Sequence, residues 1–354
     1  MITVKNIRVF LFIGGSVFAI SMIVYFYQIF YTANILPGQN REPAVIRIPH
    51  DATIKNVTDT LQKYDLISEL VPFRFVSKAM KYNENIKPGL YVLQPNMTNI
   101  EAVRYLRSGA QSPTKITFNN ARTLKDVADR ITPRLEVTPD EVLDAIYDKE
   151  LLLSLGLDSM TVKAIFIPNT YEVYWTLSAK NLVRRMKKEY DNFWNDIRKQ
   201  KAEKLGLTPY QVTVLASIVE SETIKVDEMP KVAGLYVNRL NKGWALQSDP
   251  TVVFGCVEEG VVAEFTDVKR VLNKHLEVDS PYNTYKYSGL PPGPIRIPST
   301  QAINAVLNAE KHRYMYMVAS DDFSGYHHFS KTLREHNIYA AKYQRALNKA
   351  RVYK

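Results

Sequence analysis

The run from Val9 to Tyr31, VFLFIGGSVFAISMIVYFYQIFY, carries no charged residue, and no other stretch constrains the chain as much. Roughly 20 apolar residues in a helix cross a bilayer, so this run is long enough to span one. A cleaved signal peptide is the competing reading. Its apolar core would be only about 7 to 15 residues long and would end in a small-residue cleavage pattern. No A-x-A-like pattern stands near Thr32 or Ala33, so a retained single-pass anchor is expected. Lys5 and Arg8 precede the span, and the first charges after it are Arg41 and Glu42. The positive-inside tendency then leaves the N-terminus in the cytoplasm and the rest of the chain outside. Tyr25, Phe26, Tyr27, Phe30 and Tyr31 fit an aromatic belt at the outer interface.

The 354 residues are enough for two or three domains, and 46% hydrophobic with 23% charged residues is an ordinary globular balance. The single cysteine, Cys256, cannot form an internal disulfide, and a small buried apolar role is expected of it. The net charge of +10 makes anionic neighbours plausible, either lipid headgroups or carboxylate-bearing polymers. Nucleic acid is not an expected partner of an exported, anchored chain.

The fold class read from the patterning is α+β. The expected order is a cytoplasmic N-terminus (1–8), a transmembrane helix (9–31), a Pro/Gly/Asn linker (32–43), a small module (44–110), a connecting α+β segment (111–160) and a larger mixed domain (161–354). In the module, AVIRI alternates as a strand and Asp51 is a fair N-cap for the helix that follows. VPFRFVSKAMKY reads as a second helix, NIKPGLYVLQ as a strand, and NIEAVRYLRSG as a helix ending at Gly109. Further on, FIPNTYEVYW is aromatic and turn-rich. KNLVRRMKKEYDNFWNDIRKQKAEKLG reads as one long basic helix whose charge run is a solvated face. WALQSDPTVVFG and SPYNTYKYSGLPPGPIRIPS read as loops, TQAINAVLNAE and the C-terminal basic stretch as helices, and YMYMVAS as a strand.

Between them lies VLASIVESET, residues 214 to 223. On a 3.6-residue period Val212, Leu215 and Val219 form a buried stripe, with Val214 and Ile218 beside it. Glu220 stacks on a different stripe above Thr213, Ala216 and Ser217, all small. Small residues leading to a carboxylate are expected to leave a groove with an acid at its end. Glu222 shares the Val219 side, so the two carboxylates do not point at one atom. The same residues also fit a plain helix end, with Lys225 and Arg239 as ion-pair partners. A partly buried glutamate can serve as a general acid near neutral pH, because desolvation raises a carboxyl pKa.

Glycoside cleavage usually employs two carboxylates. Glu222, Asp227, Glu228, Asp249 and Asp279 are available, but none repeats the small-residue surroundings of Glu220, which points to one-carboxylate chemistry. Asp249 in QSDPT is also a turn former. His312, His327, His328 and His336 lack H-E-x-x-H spacing, and neighbouring histidines on a strand face opposite sides. No metal or cofactor is expected, and no serine sits in a G-x-S-x-G elbow.

Five motifs in order, FIPNTYEVYW, LASIVESET, VAGLYVNRLNKGWALQSDPTVVFG, SPYNTYKYSGLPPGPI and HHFSKTLREHN, resemble the endolytic murein transglycosylases, the YceG-like or MltG family, over roughly residues 162 to 340. The anchor fits that family, and residues 44–109 resemble its LysM-like region. The resemblance implies an enzyme that cuts peptidoglycan between MurNAc and GlcNAc without water, leaving a 1,6-anhydro-MurNAc end. Glu220 matches the family's catalytic glutamate, acting as acid and then as base. Gln247 and Asp249 match its L-Q-[ST]-D-P-T loop, and Asn283, Thr284 and Tyr285 its Y-N-T-Y. With Ser217 they are expected to bind substrate or shape the site. Glu222, the second glutamate of E-x-E-T, is expected to orient a neighbour. His327 matches H-x-F, with a structural or substrate-facing role. The family often shows L-E-G and F-P-D-T-Y, whereas Lys163 and Asn169 stand here in place of those carboxylates. The implied partners are glycan strands, the membrane through residues 9–31, and peptidoglycan synthases of the penicillin-binding class. The implied location is the bacterial cytoplasmic membrane. A catalytically inert scaffold that binds peptidoglycan and recruits a synthase is the different-class alternative.

Overall fold

The computed structural model describes residues 4–37, 42–119 and 121–350. The expectations for residues 1–3, the side chains of Lys5 and Arg8, linker residues 38–41 and residues 351–354 lie outside these. The chain forms two compact units. One runs to Ile116 and takes back Pro133–Val137 and Tyr171–Leu177; the other takes Thr117–Thr132, Thr138–Thr170 and Ser178 onward. The segment 111–160 is therefore divided between them.

The first unit contains α1 (Val4–Tyr31), β1 (Ala33–Ile35), β2 (Ala44–Ile48), α2 (Ile54–Lys63), α3 (Leu70–Ala79), β3 (Gly89–Leu93), β4 (Met97–Thr98), α4 (Asn99–Ser108) and most of β5 (Pro113–Phe118). β2 pairs antiparallel with β3, Ile46 opposite Tyr91 and Ile48 opposite Gly89. The strand alternation is visible in burial: Ile46 and Ile48 are buried while Val45 and Arg47 are exposed. The cap of α2 is Thr53 rather than Asp51. Thr53 Oγ1 accepts from the Asn56 N–H, and the Asn56 side chain accepts from the Thr53 N–H at 2.8 Å, a reciprocal pair that only the residue adjoining the first turn can make. α4 ends as expected at Gly109, whose φ of 73° suits glycine.

α1 contains the one stretch among the described residues long and apolar enough to cross a membrane, Val9–Tyr31. It does not run into a slack linker. β1 pairs with β4 directly after it, and Ile35 and Leu36 are buried in the unit's core. Ile29 belongs to that core as well. Its carbonyl is one of the acceptors a helix end leaves open, and it accepts from buried Asn99 Nδ2 at 2.8 Å. Asn34 donates to Asn99 Oδ1 at 2.7 Å and to the Glu69 carbonyl at 2.8 Å. Phe75 of α3 packs its ring 6.2 Å from Phe26 and 6.0 Å from Phe30.

The second unit is mostly helical. Along the chain come α5 (Leu124–Ile131), α6 (Pro139–Ile146), α7 (Lys149–Ser154), then, after β6 (Asn169–Tyr174), which belongs mostly to the first unit, α8 (Ala179–Phe193), α9 (Asp196–Lys204), α10 (Pro209–Glu222), α11 (Met229–Asn241), α12 (Asp249–Glu258), α13 (Asn273–Leu276), α14 (Thr300–Leu307), β7 (Tyr316–Ala319), β8 (His327–Ser330) and α15 (Leu333–Lys349). β6 pairs with β5, so the aromatic stretch expected as turns is largely a strand. The basic stretch expected as one helix is two. The break falls at Trp194, which leaves the helical region at ψ 61° to sink into the core, and Asn195 caps α9 by accepting the Arg198 N–H at 3.1 Å. WALQSDPTVVFG is a loop only up to Ser248. Pro250 then sits in the first turn of α12, where a missing N–H costs nothing. β7 and β8 form an antiparallel pair, and Cys256 is a buried free thiol in α12.

α10 is the centre of this unit. Residues Val212 to Val219 are all buried, and the helix packs against α11, α12 and α14. Thr208 opens it with a capping box to Gln211.

Candidate functional site

The small-residue stripe of α10 is not an open groove. Thr213, Ala216 and Ser217 are all buried, and at Ser217 the Gly-Pro loop before α14 closes on the stripe. Ser217 Oγ accepts the Ile295 N–H at 3.1 Å and donates to the Val214 carbonyl at 2.7 Å. That contact needs a side chain no larger than serine. The groove expected there is therefore filled by backbone, and the site opens one turn later, at Glu220.

The Glu220 side chain is 10% exposed. Its Oε2 lies 3.3 Å from Arg296 Nε and accepts the Ser299 N–H at 3.1 Å. Ser299 is the N-cap of α14, so the carboxylate sits where the helix dipole favours negative charge. Its Oε1 has no hydrogen bond among the described residues. Glu220 lines a cleft of about 280 Å³ together with Arg122, Pro250, Phe254, Phe265 and Arg296. The Arg122 guanidinium stacks 4.4 Å from the Phe265 ring centre. Burial, and then the neighbouring Arg296 charge, hold its pKa below the usual arginine value. The cleft thus combines one carboxylate, two guanidiniums and flat aromatic walls. A larger cavity of about 650 Å³ near Lys204, Gly234 and His312 contains none of the expected site residues.

Glu222 points elsewhere. It is half-buried, accepts from Tyr236 Oη at 2.7 Å and from Ser248 Oγ, and the desolvation of its carboxyl raises its pKa despite those bonds. It clamps α10 to α11 and to the N-cap of α12. Next to Ser248, Gln247 is exposed and adopts φ 50°, a left-handed conformation that costs a non-glycine residue some strain. Its N–H donates to the Thr284 carbonyl at 3.0 Å. Asp249 accepts from Tyr285 Oη at 2.7 Å, and burial together with that carboxylate raises the Tyr285 pKa.

Asn283 and Thr284 face inward. Asn283 Nδ2 donates to the carbonyls of Leu276 and Val278, both at 2.9 Å. Thr284 Oγ1 accepts the Ser248 N–H at 3.1 Å and shares a 2.7 Å bond with Thr251 Oγ1. Thr284 holds the turn that carries Gln247 and Ser248, Asn283 ties its own segment back to the end of α13, and neither lines the cleft. His327 also lies apart from Glu220. Its Nδ1 is 2.8 Å from Glu228 Oε2 and its backbone N–H donates to Glu228 Oε1 at 2.7 Å, tying β8 to the start of α11. His328 pairs instead with Asp321 at 2.9 Å.

Arg122, Arg296, Phe254 and Phe265 were missed by sequence reasoning. Arg296 sits inside GLPPGPIRIPS, and a cation beside that loop was its only signal. Arg122 follows Ala121, whose carbonyl accepts the Ile297 N–H at 3.2 Å, so a distant strand end delivers it to the same loop. Lys163 puts its ammonium 4.8 Å above the Phe254 ring, and burial pushes its pKa down to about 8. Asn169 is exposed at the start of β6, where its side chain accepts the Thr170 N–H.

Comparison with known proteins agrees with the five-motif resemblance. A model described as YceG-like family matches residues 46–342. A protein named endolytic murein transglycosylase from Bacillus subtilis (strain 168) is 28% identical over 314 residues, covering 84% of this chain and 84% of that protein. One of the same name from Streptococcus pneumoniae is 24% identical over 351 residues, covering 90% of this chain and 62% of the relative. The crystal structure of a YceG-like protein from Listeria monocytogenes, 29% identical, superposes with a TM-score of 0.54 over 84% of this chain and 98% of that one. With a family model matched across most of its length, this chain belongs to the YceG-like family.

Proposed function

We propose that the chain is an endolytic lytic transglycosylase of peptidoglycan, with Glu220 as its only acid and base. The observation that carries this reading is that Glu220 is the one carboxylate among the described residues lining its cleft. A hydrolase of the usual kind would need a second one to activate water. Glu220 first gives its proton to the glycosidic oxygen as the bond from C1 of MurNAc breaks. The resulting carboxylate then takes the proton of the same sugar's C6 hydroxyl while O6 bonds to C1. No water enters, and the product is a 1,6-anhydro end. Arg296 and the Ser299 N–H hold Oε2, which fixes the carboxyl and leaves Oε1 to move the proton in both steps. Phe254 and Phe265 offer apolar faces to sugar rings.

Further parts of the reading rest on the family and the anchor. α1 holds the protein in the cytoplasmic membrane, with both units on the outer side, so it meets strands as synthases of the penicillin-binding class extend them and sets their length. The strand–helix–helix–strand order of β2, α2, α3 and β3 supports a LysM-like, glycan-binding role for residues 44–110. The test is mass spectrometry of murein treated with the full chain and with Glu220→Gln. Anhydro-MurNAc ends made only by the unmutated protein support the proposal. Reducing ends would indicate a hydrolase, and binding without new ends in either protein would favour a scaffold.

A further inference from the structure

A second chamber of about 240 Å³ adjoins the Glu220 cleft, and Phe254 and Phe265 line both. Their ring centres are 5.8 Å apart, so the pair forms a shared wall. On the far side the chamber is faced by Tyr147, Met160, Tyr282 and Lys163. Lys163 is a half-buried cation whose ammonium rests on the Phe254 ring, and it has no ion pair or hydrogen bond among the described residues. Glu258 lines the same chamber but is exposed; it and Asp126 attract the ammonium only from a distance, without an ion pair. Holding an ammonium in an aromatic chamber without a carboxylate in contact is costly, and part of that cost is recovered when an anion fills the chamber. Arg122, on the Phe265 ring in the neighbouring cleft, adds to the positive potential.

We infer that the chamber binds the peptide branch of the strand held in the Glu220 cleft, with Lys163 taking a carboxylate of that peptide. This rests on the glycan reading of the cleft. The sugar rings of such a strand are neutral, whereas its peptide branches carry free carboxylates. A branch leaving the strand at the shared aromatic wall enters the chamber at once. Lys163 makes the enzyme prefer strands with charged branches.

The test uses the full chain carrying Glu220→Gln, so that ligands survive, and three soluble probes. These are a glycan tetrasaccharide with its peptides, the same compound with the peptide carboxylates amidated, and the tetrasaccharide stripped of peptide, which exposes the lactyl carboxylate. The expected result is binding of the free-carboxylate probe about 10-fold or more tighter than its amidated twin, a typical gain for a charge-assisted bond. Lys163→Met should erase that ratio and Lys163→Arg should keep it, with thermal unfolding confirming that both variants fold. A ratio near one in the Lys163 protein overturns the inference. Tight, Lys163-dependent binding of the stripped probe also overturns it, because the lysine would then read the lactyl group. If the ratio holds but the unmutated chain makes no anhydro ends, the chamber stands and the reaction proposed above falls. If it makes those ends while the ratio is one, the chamber inference alone fails.

Discussion

Replacing Lys163 with methionine should stabilise the second unit at neutral pH, and the gain should vanish in alkaline solution. Burial pushes the lysine from 10.5 to about 8, with Glu258 opposing the shift and Arg122 adding to it. Each pKa unit is worth about 1.4 kcal/mol, so folding a charged Lys163 costs up to about 3 kcal/mol at pH 7. Methionine has a similar volume and a flexible apolar chain, and it avoids that cost while still covering Phe254. In a unit of this size 1 kcal/mol moves Tm by roughly 2–4 °C, which puts the expected rise at roughly 6–12 °C. The sign follows from proton counting. Between pH 8 and 10.5 the folded protein has lost the Lys163 proton while the unfolded chain still holds it, so wild-type stability climbs with pH across that window. Calorimetry of the detergent-solubilised chain and the variant, from pH 6.5 to 10.5, should show two Tm curves that converge above about 8. Parallel curves, or a less stable variant at pH 7, would refute the claim that the ammonium is held there at a cost.

Arg296→Met should slow the formation of anhydro ends by roughly 100-fold, as Glu220 loses the group that aligns it, with little change in Tm; an unchanged rate by quantitative mass spectrometry would remove Arg296 from the site. Glu222→Leu should lower the stability of the second unit by about 2–4 kcal/mol in a denaturant titration, because Tyr236 and Ser248 lose a buried acceptor. Gly234→Ala should cost roughly 1–3 kcal/mol, since a Cβ there would stand 2.3 Å from the Glu310 carbonyl oxygen, a backbone atom that cannot swing aside. A Tm equal to that of the wild type would show that the segment after α14 yields instead.

Much of the architecture was legible because it follows from local chemistry. The uncharged run Val9–Tyr31, the alternation in AVIRI and the Gly109 stop each depend on neighbours within a few residues. The α10 periodicity separated Glu220 from Glu222 correctly, and the structure shows one in the cleft and the other clamped to Tyr236. Periodicity says which residues share a face but not what lies on it. That is why the Thr213–Ala216–Ser217 stripe suggested an open groove when the loop around Ile295 fills it. The break at Trp194 was hidden for a similar reason. Helix propensity runs on through YDNFWNDI, and only the burial of one indole in the core diverts the chain. Arg122 and Phe265 come from segments far apart in sequence, and no short-range pattern could place them beside Glu220.

The junction after α1 sets how the protein can be held. Ile29 is packed in the core, Asn99 seals the last turn, and β1 zips to β4. The first unit is thus socketed onto α1 rather than hung from a string. With α1 in a bilayer, the tilt and rotation of that single helix become the orientation of residues 44–110 above the lipid, and swivelling freely would require breaking buried hydrogen bonds. A flexible insert between Tyr31 and Ala33 would keep the helix and destroy the aim.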